Sequence, residues 1–198
     1  MLNIVLVAGS SRDNSQSGKV ARFTRERLLD LDLASPSSCT VIDLGQGPLP
    51  LWPTDDTGPW AEYKQLLQAA DAVVIIAPEW NGMACPAIKN FFIYASKAEL
   101  GHKPGLLVGV SSGIGGSYPI AELRASSYKN CRLCYLPEHL IVRGVEKVLN
   151  GADAISEDDQ RIRARLDYGL DILARYAVAL KPVREAIDMS IPAFTNGM

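Results

Sequence analysis

Asn3-Ile4-Val5-Leu6-Val7-Ala8-Gly9-Ser10-Ser11-Arg12-Asp13-Asn14-Ser15-Gln16-Ser17-Gly18 joins an unbroken apolar run, through a glycine, to a segment rich in hydroxyls. Beyond it, Val20, Phe23, Leu28, Leu29 and Leu31 recur at helical spacing. The order is strand, loop, helix. An apolar run without polar alternation suits a strand covered on both faces, as in a parallel sheet.

The same unit repeats along the chain. Cys39 to Leu44 reads as a second strand, followed by an irregular Gly/Pro-rich stretch from Gly45 to Pro59 and a helix over Trp60 to Ala70. Ala72 to Pro78 is the third apolar run, and Pro86 to Glu99 reads as helix. A fourth strand, Pro104 to Ser111, leads to a helix from about Tyr118 to Asn130, and a fifth strand, Arg132 to Val142, is interrupted near Pro137. Ile162, Leu166, Leu170, Leu173 and Ala177 mark a last helix over Glu157 to Val178. Short apolar strands alternating with helices predict an α/β fold with a doubly wound, five-stranded parallel sheet. Residues 1–180 are expected to form the domain, and 181–198 a C-terminal tail that lies on the surface or packs on a partner subunit.

Composition narrows the function classes. The 198 residues are 47% hydrophobic and 21% charged, which fits one globular domain able to build a core without disulfides or a structural metal. A formal net charge of -2 supplies no general field for nucleic acid or an anionic membrane, so any anion site must be local. No uncharged apolar run approaches the roughly 20 residues that cross a bilayer, and Met1 to Ser10 lacks the basic flank of a signal peptide. A soluble cytoplasmic protein is expected. Two histidines, His102 and His139, give zinc little to bind, and the single Cys131-x-x-Cys134 pair reads as ordinary thiols at a helix-to-strand junction. No metal site is expected.

In an open parallel sheet the ligand crevice lies beyond the carboxyl ends of the strands. Three loops fall there. Gly9 to Ser17 offers successive backbone N–H groups, hydroxyls, the Arg12 guanidinium and a helix N-terminus, together a phosphate cradle. It has neither the GxGxxG spacing of a dinucleotide fingerprint nor the GK[ST] ending of a P-loop, so the expected ligand is a monophosphate. The plainer alternative is a polar loop whose Ser15 or Ser17 caps the helix. Pro78 to Asn90 sets Trp80 among polar residues, which reads as an exposed aromatic in a loop suited to a broad planar ring, or simply as an anchor for that loop. Ser111-Ser112-Gly113-Ile114-Gly115-Gly116-Ser117 lets a planar ligand approach its backbone, or serves as a mobile connector.

These residues together resemble the NADPH-dependent FMN reductase family of flavodoxin-like proteins. The resemblance rests on Gly9-Ser10-Ser11-Arg12 through Ser17, which looks like GSxRxxS, and on Pro78-Glu79-Trp80-Asn81-Gly82 with the later Pro86-Ala87-Ile88-Lys89-Asn90, which is similar to PEYNxxxPxxLKNxxD. It extends from about Asn3 to Ala179. It implies noncovalent FMN, with Ser10, Arg12, Ser15, Gln16 and Ser17 at the phosphate, and Pro78, Glu79, Trp80, Asn81 and Gly82 along the ring. Ser111, Ser112, Gly115 and Gly116 would then flank the ring's other side. Trp80 stands where tyrosine is usual, and Ile93 where the pattern has aspartate.

The activity implied is a ping-pong cycle. NADPH or NADH passes a hydride to the flavin, and a small-molecule electron acceptor such as a quinone, azo compound, flavin or metal oxyanion is reduced in turn. No side chain is implied as catalytic, because the flavin carries the chemistry. Family members are commonly homodimers or homotetramers. The alternative is a noncatalytic flavin-binding or electron-carrier protein, against which a charge of only -2 weighs. Lys89 and Asn90 are read as braces rather than ligand contacts, and Trp52 and Trp60 as packing anchors or as a cover for a partner's flavin.

Overall fold

The computed structural model describes residues 1–196. Its elements in chain order are β1 (Ile4–Ala8), α1 (Gln16–Asp30), β2 (Cys39–Asp43), α2 (Trp60–Ala69), β3 (Ala72–Trp80), β4 (Met83–Ala84), α3 (Pro86–Tyr94), α4 (Lys97–Leu100), β5 (Pro104–Val110), α5 (Ser117–Ser126), β6 (Cys134–Val142) and α6 (Glu157–Ala186). The parallel strands lie in the order β2-β1-β3-β5-β6, and β4 is an antiparallel appendage on β3. This is the flavodoxin-like arrangement of a doubly wound sheet. The five-stranded parallel sheet expected from the sequence is present.

The apolar runs explain the layering. Every residue of β1 and β5 is buried, as required of strands with helices on both faces. On one face Val20, Ala21 and Leu28 of α1 and Leu166, Leu170 and Leu173 of α6 close over Ile4, Leu6, Val74 and Val108. On the other, Leu67 of α2, Ile88 and Phe91 of α3 and Leu123 of α5 close over Val5, Val7, Ile75 and Leu107.

Several elements differ from their sequence-based bounds for physical reasons. β3 runs past Pro78 to Trp80 and folds back through Asn81-Gly82 into β4. Both turn residues have positive φ, 49° and 73°, as a two-residue hairpin turn requires. The Pro86 to Glu99 helix breaks at Ala95-Ser96, where Ser96 and Glu99 form a capping box that starts α4 afresh. α5 ends at Ser126, short of Asn130. The interruption of β6 is a register shift opposite Gly105 to Leu107, and Arg124 donates to the carbonyl oxygens of Leu136 and Pro137 there. α6 continues to Ala186 through Pro182, and its last turn is tied down by Arg184 to Asp71 at 3.4 Å. Beyond it the chain runs back over α4: Lys97 Nζ donates to the Met189 carbonyl at 2.7 Å, and the Arg132 guanidinium donates to that of Phe194.

Among the described residues no helix is long and apolar enough to cross a membrane.

One close approach sets the carboxyl edge of the sheet. Gly9 follows β1, and a Cβ there would lie 2.9 Å from Ile88 Cβ and 3.0 Å from the Ile76 carbonyl oxygen. Its own N–H donates to that Ile76 carbonyl at 2.8 Å, and its carbonyl accepts from Cys85 Sγ at 2.6 Å. Burial pushes the Cys85 thiol up, so it stays protonated and able to donate. Gly9→Ala is expected to push α3 from β1 and cost about 1–3 kcal/mol. That corresponds to a fall in Tm of about 2–4 °C per kcal/mol for a chain of this size; an unchanged melting curve would show that this packing is slack.

Candidate functional site

β1, β3 and β5 end side by side: Ala8 pairs with Ile76, and Pro78 with Val110. The chain winds to β2 on one side of β1 and to β3 on the other, so the switch point lies between β1 and β3. An open cavity of about 470 Å³ sits at that edge. Ser10, Arg12, Ser15, Gln16 and Ser17 line it from the first loop, Pro78, Glu79, Trp80 and Asn81 from β3 and its turn, and Ser112 from the third loop. Of the residues singled out by sequence, Gly82, Ser111, Gly115 and Gly116 do not line it.

The first loop ends as a helix cap. Ser15 Oγ accepts from Gly18 N at 3.0 Å and shares a hydrogen bond of 3.0 Å with Ser17 Oγ. The N–H groups of Gln16 and Ser17, in the first turn, have no partner within the helix. No acidic residue of α1 stands in that turn, so the helix does not compensate the positive end of its own dipole; the Asp43 carboxylate of β2 lies beside Gly18 at its edge. Ser10, Ser15 and Ser17 are buried, and Gln16 Oε1 is a buried acceptor without a partner. The donor set fits a phosphate. The orphaned Gln16 oxygen wants a hydroxyl or N–H beside it, and the ribityl chain of FMN carries such hydroxyls. The plainer role is therefore also real: Ser15 caps α1 and lines the cavity at once.

Trp80 corrects the sequence reading. It is half-buried and lies in a strand, paired with Met83, rather than exposed in a loop. The Arg12 guanidinium carbon lies 4.6 Å from the Trp80 ring centroid, a cation–π contact that joins the first loop to the second.

Glu79 joins the second loop to the third. Its Oε2 accepts from Gly116 N at 2.6 Å and from Tyr118 N at 3.3 Å, which caps the N-terminus of α5. Gly116 reaches this position with φ at 99°, and a Cβ on Gly115 would collide with the Glu79 carboxylate. Gly115 and Gly116 thus hold the cavity wall through Glu79 instead of facing the cavity. Ser111 is used in the backbone: its N–H donates to Val142 and its Oγ accepts from Gly113 N.

Asp13, Asn14, Val110 and Val145 also line the cavity and were not singled out by sequence. Asn14, with φ at 50°, is a left-handed turn residue that the polar loop made legible. Val145 follows β6; its N–H donates to the Ser111 carbonyl at 3.1 Å, and Lys19 Nζ donates to the Val145 carbonyl at 2.5 Å and to that of Val148 at 2.9 Å, contacts that no local pattern signals.

The bracing roles are visible. Asn90 accepts from Trp52 N at 3.1 Å and donates to the Pro50 carbonyl at 2.9 Å, pinning the stretch after β2. Lys89 pairs with Glu122 of α5 at 3.1 Å. Trp60 packs against Phe91 and Tyr94, whereas Trp52 is exposed. All four cysteines are free thiols; burial pushes Cys131 up to about 11, and its Sγ donates to the Ser127 carbonyl at 2.9 Å. Among the described residues no cluster of His, Cys, Asp or Glu could hold a metal ion.

Comparison with known proteins agrees with this architecture. A family model described as NADPH-dependent FMN reductase matches residues 2–146. A 2-hydroxy-1,4-benzoquinone reductase of a Burkholderia species is 28% identical over 170 residues, covering 81% of this chain and 89% of that protein. A quinone reductase of Pseudomonas putida is 31% identical over 170 residues, covering 81% and 84%. Among solved structures, a flavoenzyme NAD(P)H:(acceptor) oxidoreductase from Paracoccus denitrificans superposes with a TM-score of 0.66 at 20% identity, covering 91% of this chain and 99% of that one.

The Glu79 cap has a direct readout. Glu79→Ala leaves the Gly116 and Tyr118 N–H groups without their acceptor and is expected to cost about 0.5–2 kcal/mol. Amide exchange should accelerate at these two residues while α1 keeps its protection; unchanged exchange would show that the glycine-rich loop is held by other means.

Proposed function

From the premise that this chain belongs to the NADPH-dependent FMN reductase family, we propose that it is an FMN-containing oxidoreductase using NAD(P)H to reduce a quinone, azo compound, flavin or similar small acceptor. The observation that carries this reading is the convergence of three loops, from β1, β3 and β5, on one cavity with a dipole-positive helix end and a tryptophan in its lining. Bound FMN would supply the redox chemistry, accepting a hydride from the nicotinamide and returning electrons to the acceptor.

The chain's own part is to bind, orient and stabilise charge. Ser10, Ser15 and Ser17 with the first-turn N–H groups of α1 would hold the phosphate, and Gln16 Oε1 would accept from the sugar-alcohol chain. Arg12 adds a positive charge at this end of the cavity. Pro78, Glu79, Trp80, Asn81 and Gly82 would run along the ring, stiffened as a hairpin with β4. Ser112 would line the opposite side, on a loop whose Ser111, Gly115 and Gly116 support it from behind, Gly116 being fixed to Glu79. Backbone N–H groups of the second loop, stiffened by that hairpin, would need no reorganisation when negative charge develops beside them.

The relatives named as quinone reductases support the acceptor class, and NADPH is favoured by the family's description. We take the assembly as a homodimer or homotetramer; the exposed Leu51, Trp52, Met83 and Ile93 are apolar surface suited to an interface.

The test is the absorption spectrum of purified protein incubated with FMN and gel-filtered, then treated anaerobically with NADPH or NADH. Retained flavin bands that bleach on addition are expected. Colourless protein would overturn the cofactor assignment, and yellow protein that neither nucleotide bleaches would overturn the reductase in favour of a carrier. Arg12→Ala is expected to weaken FMN about tenfold or more beyond any loss for riboflavin, which meets the same Trp80 but has no phosphate, because a lost hydrogen bond to a charged group is worth about 1.5–3 kcal/mol. Equal loss for both ligands, measured by fluorescence titration, would place Arg12 at the ring instead of the phosphate.

A further inference from the structure

The open edge of β6 and the N-terminal half of α6 enclose a second cleft of about 370 Å³, separate from the three-loop cavity. His139 and Arg143 line it from the strand side, Arg161 and Arg165 from the helix. Arg161 and Arg165 are four residues apart and so project from one helix face. All four side chains belong to exposed residues. Among the described residues Arg143 and Arg165 meet no carboxylate at ion-pair distance, and Arg161 meets only Asp158, at 3.0 Å, in a pair with both side chains mostly in solvent. Such a pair holds its arginine weakly. Three guanidinium groups around one cleft, in a chain of net charge -2, are a local concentration of positive charge. Their planar forks match a phosphate oxygen face.

The cleft adjoins the rim of the cavity. Arg143 follows Val142, the partner of cavity-lining Val110, and its Nε donates to the Gly115 carbonyl at 3.1 Å. Gly115 in turn packs on Glu79. From Arg143 the strand side runs back to His139, about 13 Å along β6 at roughly 3.3 Å per residue. Arg12, the other cation beside the cavity, is already stacked on Trp80 at the opposite loop. A ligand that leaves the cavity over Gly115 toward the β6 edge would reach Arg143 first, with Arg161 and Arg165 lining the same cleft from the helix.

We propose that this cleft binds the 2'-phosphate of NADPH and that Arg143, Arg161 and Arg165 set the preference for NADPH over NADH. This rests on the proposed function only in that the nicotinamide works in the cavity. Adenosine 2',5'-bisphosphate, which carries the distinguishing phosphate but no nicotinamide, separates the two questions.

The test uses full-length, FMN-incubated protein and the double variant Arg161→Ala/Arg165→Ala, whose side chains are exposed and outside the cofactor loops. By calorimetry, the unaltered protein is expected to bind adenosine 2',5'-bisphosphate at least tenfold more tightly than adenosine 5'-phosphate, and the double variant to lose that difference. In steady-state kinetics, KM for NADPH should rise about tenfold or more with kcat and the KM for NADH unchanged. Equal affinity for the two nucleotides, a difference that survives the double variant, or inorganic phosphate held as tightly as the bisphosphate would each overturn the assignment. If no nicotinamide is oxidised, the reductase reading fails, and the calorimetric comparison still decides the cleft.

Discussion

The carboxylate of Glu79 is the constraint on which the candidate site depends. It leaves the sheet at the end of β3 and accepts the N–H groups of Gly116 and Tyr118 at the start of α5. Two crossover connections that the topology only brings near each other thereby become one wall. Arg12 on Trp80 ties the first loop to the same strand end. The cavity is consequently framed by a charge-assisted cap on one side and a cation–π contact on the other, both anchored on adjacent residues of β3. An isolated loop of small residues would have to be ordered by the ligand, at the ligand's expense in affinity. Here much of that ordering is already done by the fold.

The framework beneath this wall was legible in the sequence because it rests on runs of residues. Ile4 to Ala8, Ala72 to Ala77 and Pro104 to Val110 are buried on both faces and read as buried strands without ambiguity. Helix limits were less legible, since they depend on single contacts. α3 stops where Ser96 and Glu99 begin a new cap, and α6 passes Pro182 to a last turn that Arg184 ties to Asp71 across the molecule. The Asn81-Gly82 pair reads as a turn from the sequence, but the pairing of Trp80 with Met83 across it makes a hairpin, which moves Trp80 from a loop into a strand.

The site was legible to a different degree. Ser10, Arg12 and Gln16 line the cavity from the first loop, and Trp80 lines it from the end of β3 instead of from a loop. Gly115 and Gly116 are needed for a reason the sequence does not state, namely that the Glu79 carboxylate occupies the space a side chain would take beside Gly115 and that Gly116 must adopt a positive φ. Val145 illustrates the limit. It reaches the cavity because its own N–H donates to the Ser111 carbonyl and because Lys19, on α1, holds the turn after β6 by its carbonyl groups; burial lowers the Lys19 pKa from its ordinary value. Nothing near Val145 in sequence predicts those contacts.

Charge is distributed locally in this molecule, and the net value conceals it. The chain carries 20 basic and 22 acidic residues, a balance that excludes a general polyanion surface. Yet α1 begins without an acidic residue in its first turn, whereas α6 begins with Glu157, Asp158 and Asp159. Acidic residues at an N-terminus compensate the helix dipole, so α6 is neutralised from within and α1 is left to be neutralised from outside. The buried Asp159 goes further: it accepts from Leu149 N and from Arg163, joining the start of α6 to the turn after β6. Two helices on the same face of the sheet thus use the same dipole in opposite ways. One answers it with its own acidic residues, and the other places none of its own at the crevice where a doubly wound sheet places its ligand.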